Sequence, residues 1–203
     1  MKDIRNIIFD LGGVLLNIDY DKTSQAFKRL GVQDFDTYYT QTIASPLFED
    51  LETGKITQNT FFEGIRQLAK KALTNEQITI AWNAMLQDFP IEHFKLLQSL
   101  QLSHQLFLYS NTNSIHYDAF QQIFRKATGN YSLDDCFNKA YYSHLLGYRK
   151  PNPEGFQIIL KENNLIPQQT LFVDDTLLNT EAANTLGLRV LHTKTVLKDL
   201  SIM

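Results

Sequence analysis

Four short apolar runs punctuate the chain, each closing on a polar residue. They are Asn6–Phe9 before Asp10, Gln105–Tyr109 before Ser110, Thr170–Val173 before Asp174, and Leu188–Leu191 before His192. None alternates strictly between apolar and polar, which is the pattern of strands covered on both faces in a parallel sheet. Lys139–Ser143 reads as one further strand. Between the runs, apolar residues recur at three- and four-residue intervals over Ile91–Leu102 and Asn113–Lys126, the period of a helix with one buried face. Pro153–Asn164 and Thr176–Leu186 read as two more helices. Asn152 and Pro153 suit the cap and first turn of one, and Gly187 the stop of the other. Strands alternating with helices predict an α/β fold, with a Rossmann-like parallel sheet core flanked by helices.

Residues 18–90 break this rhythm. No buried-strand run interrupts them, and helical patterns occupy Asp21–Leu30, Gln58–Lys71 and Asn75–Leu86. The expectation is a core formed by residues 1–17 and 91–203, with a helical insert over 18–90 directly after the first strand. The aromatic residues Tyr38, Tyr39, Phe48, Phe61 and Phe62 are expected to form the core of that insert. Glu52-Thr53-Gly54-Lys55 is expected to be a turn between its helices.

Composition narrows the class. A chain of 203 residues with 43% hydrophobic and 20% charged residues suits a globular protein with a sizeable core. The lone Cys136 has no internal partner, so nothing points to an oxidising compartment. A net charge of −3 without a basic run argues against nucleic acid as the main partner. The first apolar run is too short for a secretory leader, and no stretch approaches a membrane span. A cytoplasmic monomer with no membrane partner is the expectation.

In open parallel sheets, ligands bind beyond the carboxyl ends of the strands. Asp10, Ser110 and the pair Asp174–Asp175 each follow a strand run, so three parts of the chain deliver polar groups to one sheet edge. Lys150, in Gly147-Tyr148-Arg149-Lys150-Pro151, precedes a helix and can reach the same edge. The control is Asp134–Asp135, the same dipeptide after Gly129-Asn130-Tyr131-Ser132-Leu133 rather than after a strand, which reads as a solvated turn. Asp19, Asp21, Asp34 and Asp36 read as caps or surface charges, and His116 as structural or solvated.

Four segments together resemble the haloacid dehalogenase-like hydrolase superfamily. They are Phe9-Asp10-Leu11-Gly12-Gly13-Val14-Leu15, Tyr109-Ser110-Asn111-Thr112, Arg149-Lys150-Pro151-Asn152-Pro153 and Val173-Asp174-Asp175-Thr176. They fall in the order of that family's motifs, and the insert has the placement of its small helical cap domain. The resemblance implies a phosphatase acting on a small phosphorylated metabolite with Mg2+. Asp10 would be the nucleophile that forms a phospho-aspartyl intermediate and would also bind metal. Asp175 and the Gly12 carbonyl would be further ligands, and Asp174 a ligand or an orienting group. Lys150, Ser110 and Asn111 would bind the phosphate, and Lys150 would also hold Asp10.

One position departs from the family pattern. Most of its phosphatases carry a second aspartate two residues after the nucleophile as general acid and base, and here that residue is Gly12. General acid–base catalysis contributes roughly 100- to 10,000-fold. The deficit implies a proton donor from the cap or substrate, a water, or a leaving group acidic enough to depart unaided, which favours sugar 1-phosphates. The first segment is also similar to a bacterial branch that includes a glucose-1-phosphate phosphatase. Two alternatives stay open: a metal-independent, dehalogenase-type hydrolase, and a catalytically weak phosphosugar-binding module. The carboxylate pair Asp174–Asp175 weighs against the former.

Overall fold

A computed structural model describes residues 3–195. Five strands, β1 (Asn6–Phe9), β2 (Gln105–Ser110), β3 (Lys139–Tyr142), β4 (Thr170–Asp174) and β5 (Arg189–His192), form one sheet of order β3-β2-β1-β4-β5. Every pairing is parallel. In the central strands successive residues point to opposite faces and both are buried. Ile7 and Phe9 join Leu106, Leu108, Leu171 and Val173 in one apolar cluster, whereas Ile8 joins Phe107, Tyr109 and Phe172 in another. Helices α5 (Ile91–Leu100) and α6 (Ser114–Thr128) cover the first face with Phe94, Leu97, Phe120 and Phe124. The helices α8 (Pro153–Glu162) and α9 (Leu177–Thr185) cover the other with Phe156, Ile159 and Ala183. A one-turn helix, α7 (Ser143–Leu146), follows β3. At the sheet's edge β5 departs from the expected buried run: Arg189, Val190 and His192 are exposed.

Residues 18–90 contribute no strand to this sheet. They fold as α1 (Tyr20–Leu30), α2 (Pro46–Glu52), α3 (Gln58–Ala69) and α4 (Asn75–Asn83) around their own buried cluster, which includes Phe27, Phe35, Phe48, Phe61 and Trp82. Each such side chain stabilises by about 1.5–3 kcal/mol when fully buried, so the insert has a core of its own. Tyr39, Phe48, Phe61 and Phe62 belong to it, with Tyr38 packed at its margin. The two chain segments that enter and leave the insert run side by side. Asn17 N–H donates to Asp88, Gln87 N–H returns to Asn17, and Ile18 and Leu86 form an antiparallel bridge.

Several boundaries follow from capping. Asp19 accepts hydrogen bonds from the N–H groups of Asp21 and Lys22 and opens α1. Asn152 does the same for α8 by accepting from Glu154, with Pro153 in the first turn. Gly187 lies just past α9 at φ 84°. The helices read over Ile91–Leu102 and Asn75–Leu86 stop earlier, at Leu100 and Asn83. The helix α2 was not anticipated, because seven residues carry too few turns to display a period.

The Asp134–Asp135 reading requires correction. Asp134 is half-buried and accepts hydrogen bonds from the hydroxyls of Tyr117 and Tyr142 and from Gln121. It is a buried-side anchor for three polar side chains, and only Asp135 is exposed.

His116, in the first turn of α6, is structural. It is buried, stacks on Trp82 at 4.5 Å and pairs through Nδ1 with Asn83. Burial pushes its pKa down to about 3. An unfolded histidine titrates near ~6.5, so the unfolded chain takes up a proton below that pH while the folded one stays neutral. Stability is therefore fully present above about pH 6.5 and falls as the pH drops towards 3. At pH 5 the loss is about 2 kcal/mol. Urea unfolding at pH 7.5 and pH 5 should show a drop smaller by about that amount in His116→Gln. Equal drops in the two proteins would remove His116 as the source.

Candidate active site

Parallel pairing in register sets the site. Phe9 lies opposite Leu108 on one side and Val173 on the other, so Asp10, Ser110 and Asp174 all leave the sheet at its carboxyl edge. The Asp10 N–H donates to Val173 C=O at 2.8 Å, which ties the residue to β4 just before Asp174. Lys150 reaches the same point. Its Nζ lies 2.7 Å from Asp10 Oδ1 and 2.7 Å from Asp174 Oδ2, with only 1% of its side chain exposed. A buried ammonium is costly unless paired, and two carboxylates pair it. Burial works against the Lys150 charge, but Asp10 and Asp174 outweigh it and hold the pKa above the ordinary amine value.

The two adjacent aspartates have different surroundings. Asp174 is fully buried and saturated: besides Lys150 it accepts from Thr176 N–H and, with both oxygens, from Asn179 Nδ2. Asp175 is only half-buried, and accepts from Gln41 Nε2 at 2.9 Å and from the Thr176 hydroxyl. Burial, and then Asp174, raise the Asp175 pKa. That of Asp10 is pushed up to about 7, first by burial, with Lys150 opposing and Asp174 and Asp175 adding. Asp10, Asp174 and Asp175 each present an oxygen within 4.8 Å of the others. Three crowded carboxylates with only one cation among them, and proton affinities raised at Asp10 and Asp175, are the signature of a place suited to a divalent metal. Gly13 makes the crowding possible. It sits at φ 75°, and a Cβ there would lie 2.4 Å from Asp175 Oδ2.

Ser110 is buried at the same edge. The side chain of Asn111 is engaged in positioning Lys150: Oδ1 accepts from Lys150 N–H at 2.7 Å and Nδ2 donates to Lys150 C=O at 2.8 Å. Its side chain is therefore a splint for the lysine. The Lys150–Pro151 peptide is cis.

Above the carboxylates a cavity of about 60 Å³ is walled by Asp10, Lys150 and Asp175 on the sheet side and by Tyr39, Gln41 and Glu52 from the insert. Glu52 ends α2 with 1% of its side chain exposed. Its Oε1 accepts from the Tyr39 hydroxyl at 2.8 Å. Its Oε2 lies 2.9 Å from Arg149 Nε, an ion pair whose geometry leaves both atoms without a hydrogen bond. Burial raises the Glu52 pKa despite Arg149. Sequence reasoning missed Asn179, Gln41 and the pairing of Glu52 with Arg149. Asn179 had a usable signal, as an amide in the first turn of the helix after Asp174. Gln41 had none, since it lies in a loop 134 residues from its partner.

An aspartate directly after the first strand, a buried lysine bridging two carboxylates and a helical insert over a parallel sheet define the class. The chain belongs to the haloacid dehalogenase-like hydrolases, whose family model matches residues 4–187. It is 35% identical over 184 residues to D-ribitol-5-phosphate phosphatase from Bacteroides thetaiotaomicron, covering 91% of this chain and 89% of that protein. A family enzyme from the same organism, an aspartate-to-alanine variant in complex with magnesium and inorganic phosphate, superposes with a TM-score of 0.89 at 32% identity over 93% of each chain. A haloacid dehalogenase-like hydrolase from Porphyromonas gingivalis superposes with a TM-score of 0.88 at 31% identity over 98% of each chain. Among the described residues, no helix is long and apolar enough to cross a membrane.

Proposed function

We propose that the protein is a magnesium-dependent phosphatase of a small phosphorylated sugar or sugar alcohol, working through a phospho-aspartyl intermediate on Asp10. The observation that carries this reading is the Lys150 ammonium held 2.7 Å from both Asp10 and Asp174, with Asp175 beside them. Residues 1–17 and 91–203 form the catalytic core in this reading, and 18–90 the cap; residues 1–2 and 196–203 lie outside the described residues.

Asp10, Asp175 and the Gly12 carbonyl would hold the cation, while Asp174, saturated by Lys150, Asn179 and Thr176, keeps the lysine in place. When bound, magnesium supplies charge neutralisation and Lewis acidity at the phosphoryl group. Lys150 adds a second positive charge and fixes one Asp10 oxygen, so the other is free to attack phosphorus. The Ser110 hydroxyl and the Asn111 N–H bind phosphate oxygens. The cap closes over the substrate and excludes water before transfer.

The absent acid at Gly12 favours sugar 1-phosphates, whereas the Bacteroides relative is named for a sugar-alcohol 5-phosphate. Tyr39, Gln41, Glu52 and Arg149 offer donors and acceptors for several hydroxyls and suit either leaving group. The test is a panel of sugar 1-phosphates, terminal sugar phosphates and sugar-alcohol phosphates with Mg2+. Phosphate release should vanish with EDTA and return with added Mg2+. Release that survives complete chelation would revive the metal-independent, dehalogenase-type alternative.

A further inference from the structure

We propose that Glu52, carried by the cap, is the acid and base at the leaving-group oxygen, the role that Gly12 cannot fill. This inference rests on the phosphatase reading above and adds a residue to it.

A Cβ on Gly12 would lie 3.1 Å from Ile18 Cγ1, in the linker that bridges to Leu86. Ile18 would have to give by a few tenths of an ångström to admit a side chain there, and glycine itself carries no proton, so the proton carrier has to come from elsewhere. Among the described residues lining the cavity beside Asp10, Glu52 is the one carboxyl outside the cation-site trio. It is also held as a reacting group must be. Tyr39 ties down Oε1, and Oε2 lies 2.9 Å from Arg149 Nε in an ion pair that lacks a well-aligned hydrogen bond. Imperfect alignment with Arg149 leaves Oε2 able to take a hydrogen bond from a substrate oxygen in the cavity it lines. The loop after Glu52 is fixed against the core as well. Gly54 sits at φ 69°, and a Cβ there would fall 2.1 Å from the His144 carbonyl oxygen, so only glycine permits this seating. Burial raises the proton affinity of Glu52 and Arg149 moderates it, a balance that suits one group giving and retaking a proton.

The steps balance. Asp10 forms a bond to phosphorus, the bond from phosphorus to the leaving oxygen breaks, and the Glu52 proton passes to that oxygen. Water then attacks the phospho-aspartate, its proton returns to the Glu52 carboxylate, and the bond between phosphorus and the Asp10 oxygen breaks. Free Asp10, inorganic phosphate and protonated Glu52 result.

The test is a leaving-group comparison with Glu52→Gln, using ribitol 5-phosphate and p-nitrophenyl phosphate with Mg2+. An alkoxide needs the proton, so kcat on ribitol 5-phosphate should fall by roughly 100- to 10,000-fold. Nitrophenolate departs without one. Rapid mixing should therefore still release about one nitrophenolate per enzyme at nearly the wild-type rate, followed by slow turnover as the phospho-enzyme accumulates. Equal losses in the burst and in ribitol phosphate turnover would overturn the assignment, as would unchanged turnover of ribitol phosphate. If Glu52→Gln does not fold, Glu52→Asp takes its place: it should lose more on the alkyl than on the aryl phosphate, and equal losses reject the role. A burst that persists in Asp10→Asn would instead sink the underlying phospho-aspartyl reading.

Discussion

Asp10→Asn should lower phosphatase turnover by about 10,000-fold or more, on the scale seen when a nucleophile is removed, while leaving the protein at least as stable as the wild type. An amide has the shape of the carboxylate but does not attack phosphorus. Its oxygen still accepts from Lys150, and Lys150 keeps Asp174 as a partner. Stability should not fall, because burial first, and then the neighbouring Asp174 and Asp175, raise the Asp10 pKa against the opposing Lys150. Removing one of three crowded negative charges relieves repulsion that exists for the sake of the reaction. Phosphate release and thermal unfolding, measured on the same preparation, check both halves. Activity near the wild-type level would end the assignment of Asp10. A large fall in melting temperature would show instead that Asp10 is a structural partner of Lys150.

The parts legible in the sequence are those in which local chemistry and global position coincide. The strand run ending at Asp10 is buried on both faces, so its apolar residues and the polar one that ends it mark both the sheet and its active edge. The same holds for Val173 and Asp174. Lys150 was readable only through its neighbours, because a lysine in a loop is ordinarily solvated. That Asn111 serves as its splint follows from two hydrogen bonds of its side chain to the Lys150 backbone across 39 residues, which no local pattern announces. The cap wall was the least readable part. Glu52 was readable only as the edge of a turn between insert helices, and that turn is present, with Glu52 closing α2. Its importance comes from Arg149 and Tyr39 meeting it in three dimensions. Asp134 is the converse case: its sequence context suggested solvent, whereas the hydroxyls of Tyr117 and Tyr142 converge on it.

Lys150→Met should damage both folding and function, and the two effects can be separated. Methionine fills similar space but leaves Asp10 and Asp174 buried without their cation. Breaking a buried pair by removing one partner costs about 3–5 kcal/mol. For a chain of this size each kcal/mol shifts the midpoint by roughly 2–4 °C, so melting should fall by about 6–20 °C. Added Mg2+ should recover part of that loss, because a cation that binds only the folded chain stabilises it by mass action. The double variant Lys150→Met with Asp174→Asn should recover more, since one of the stranded charges is gone, and the pair should be non-additive in a mutant cycle. Neither rescue should restore turnover. Asp10 stays misaimed and the phosphate lacks its second positive charge, so the deficit in kcat should persist in a fully folded protein at saturating Mg2+. If either rescue restored kcat together with the melting temperature, Lys150 would be a structural counter-ion alone, and the electrostatic part assigned to it in phosphoryl transfer would fall.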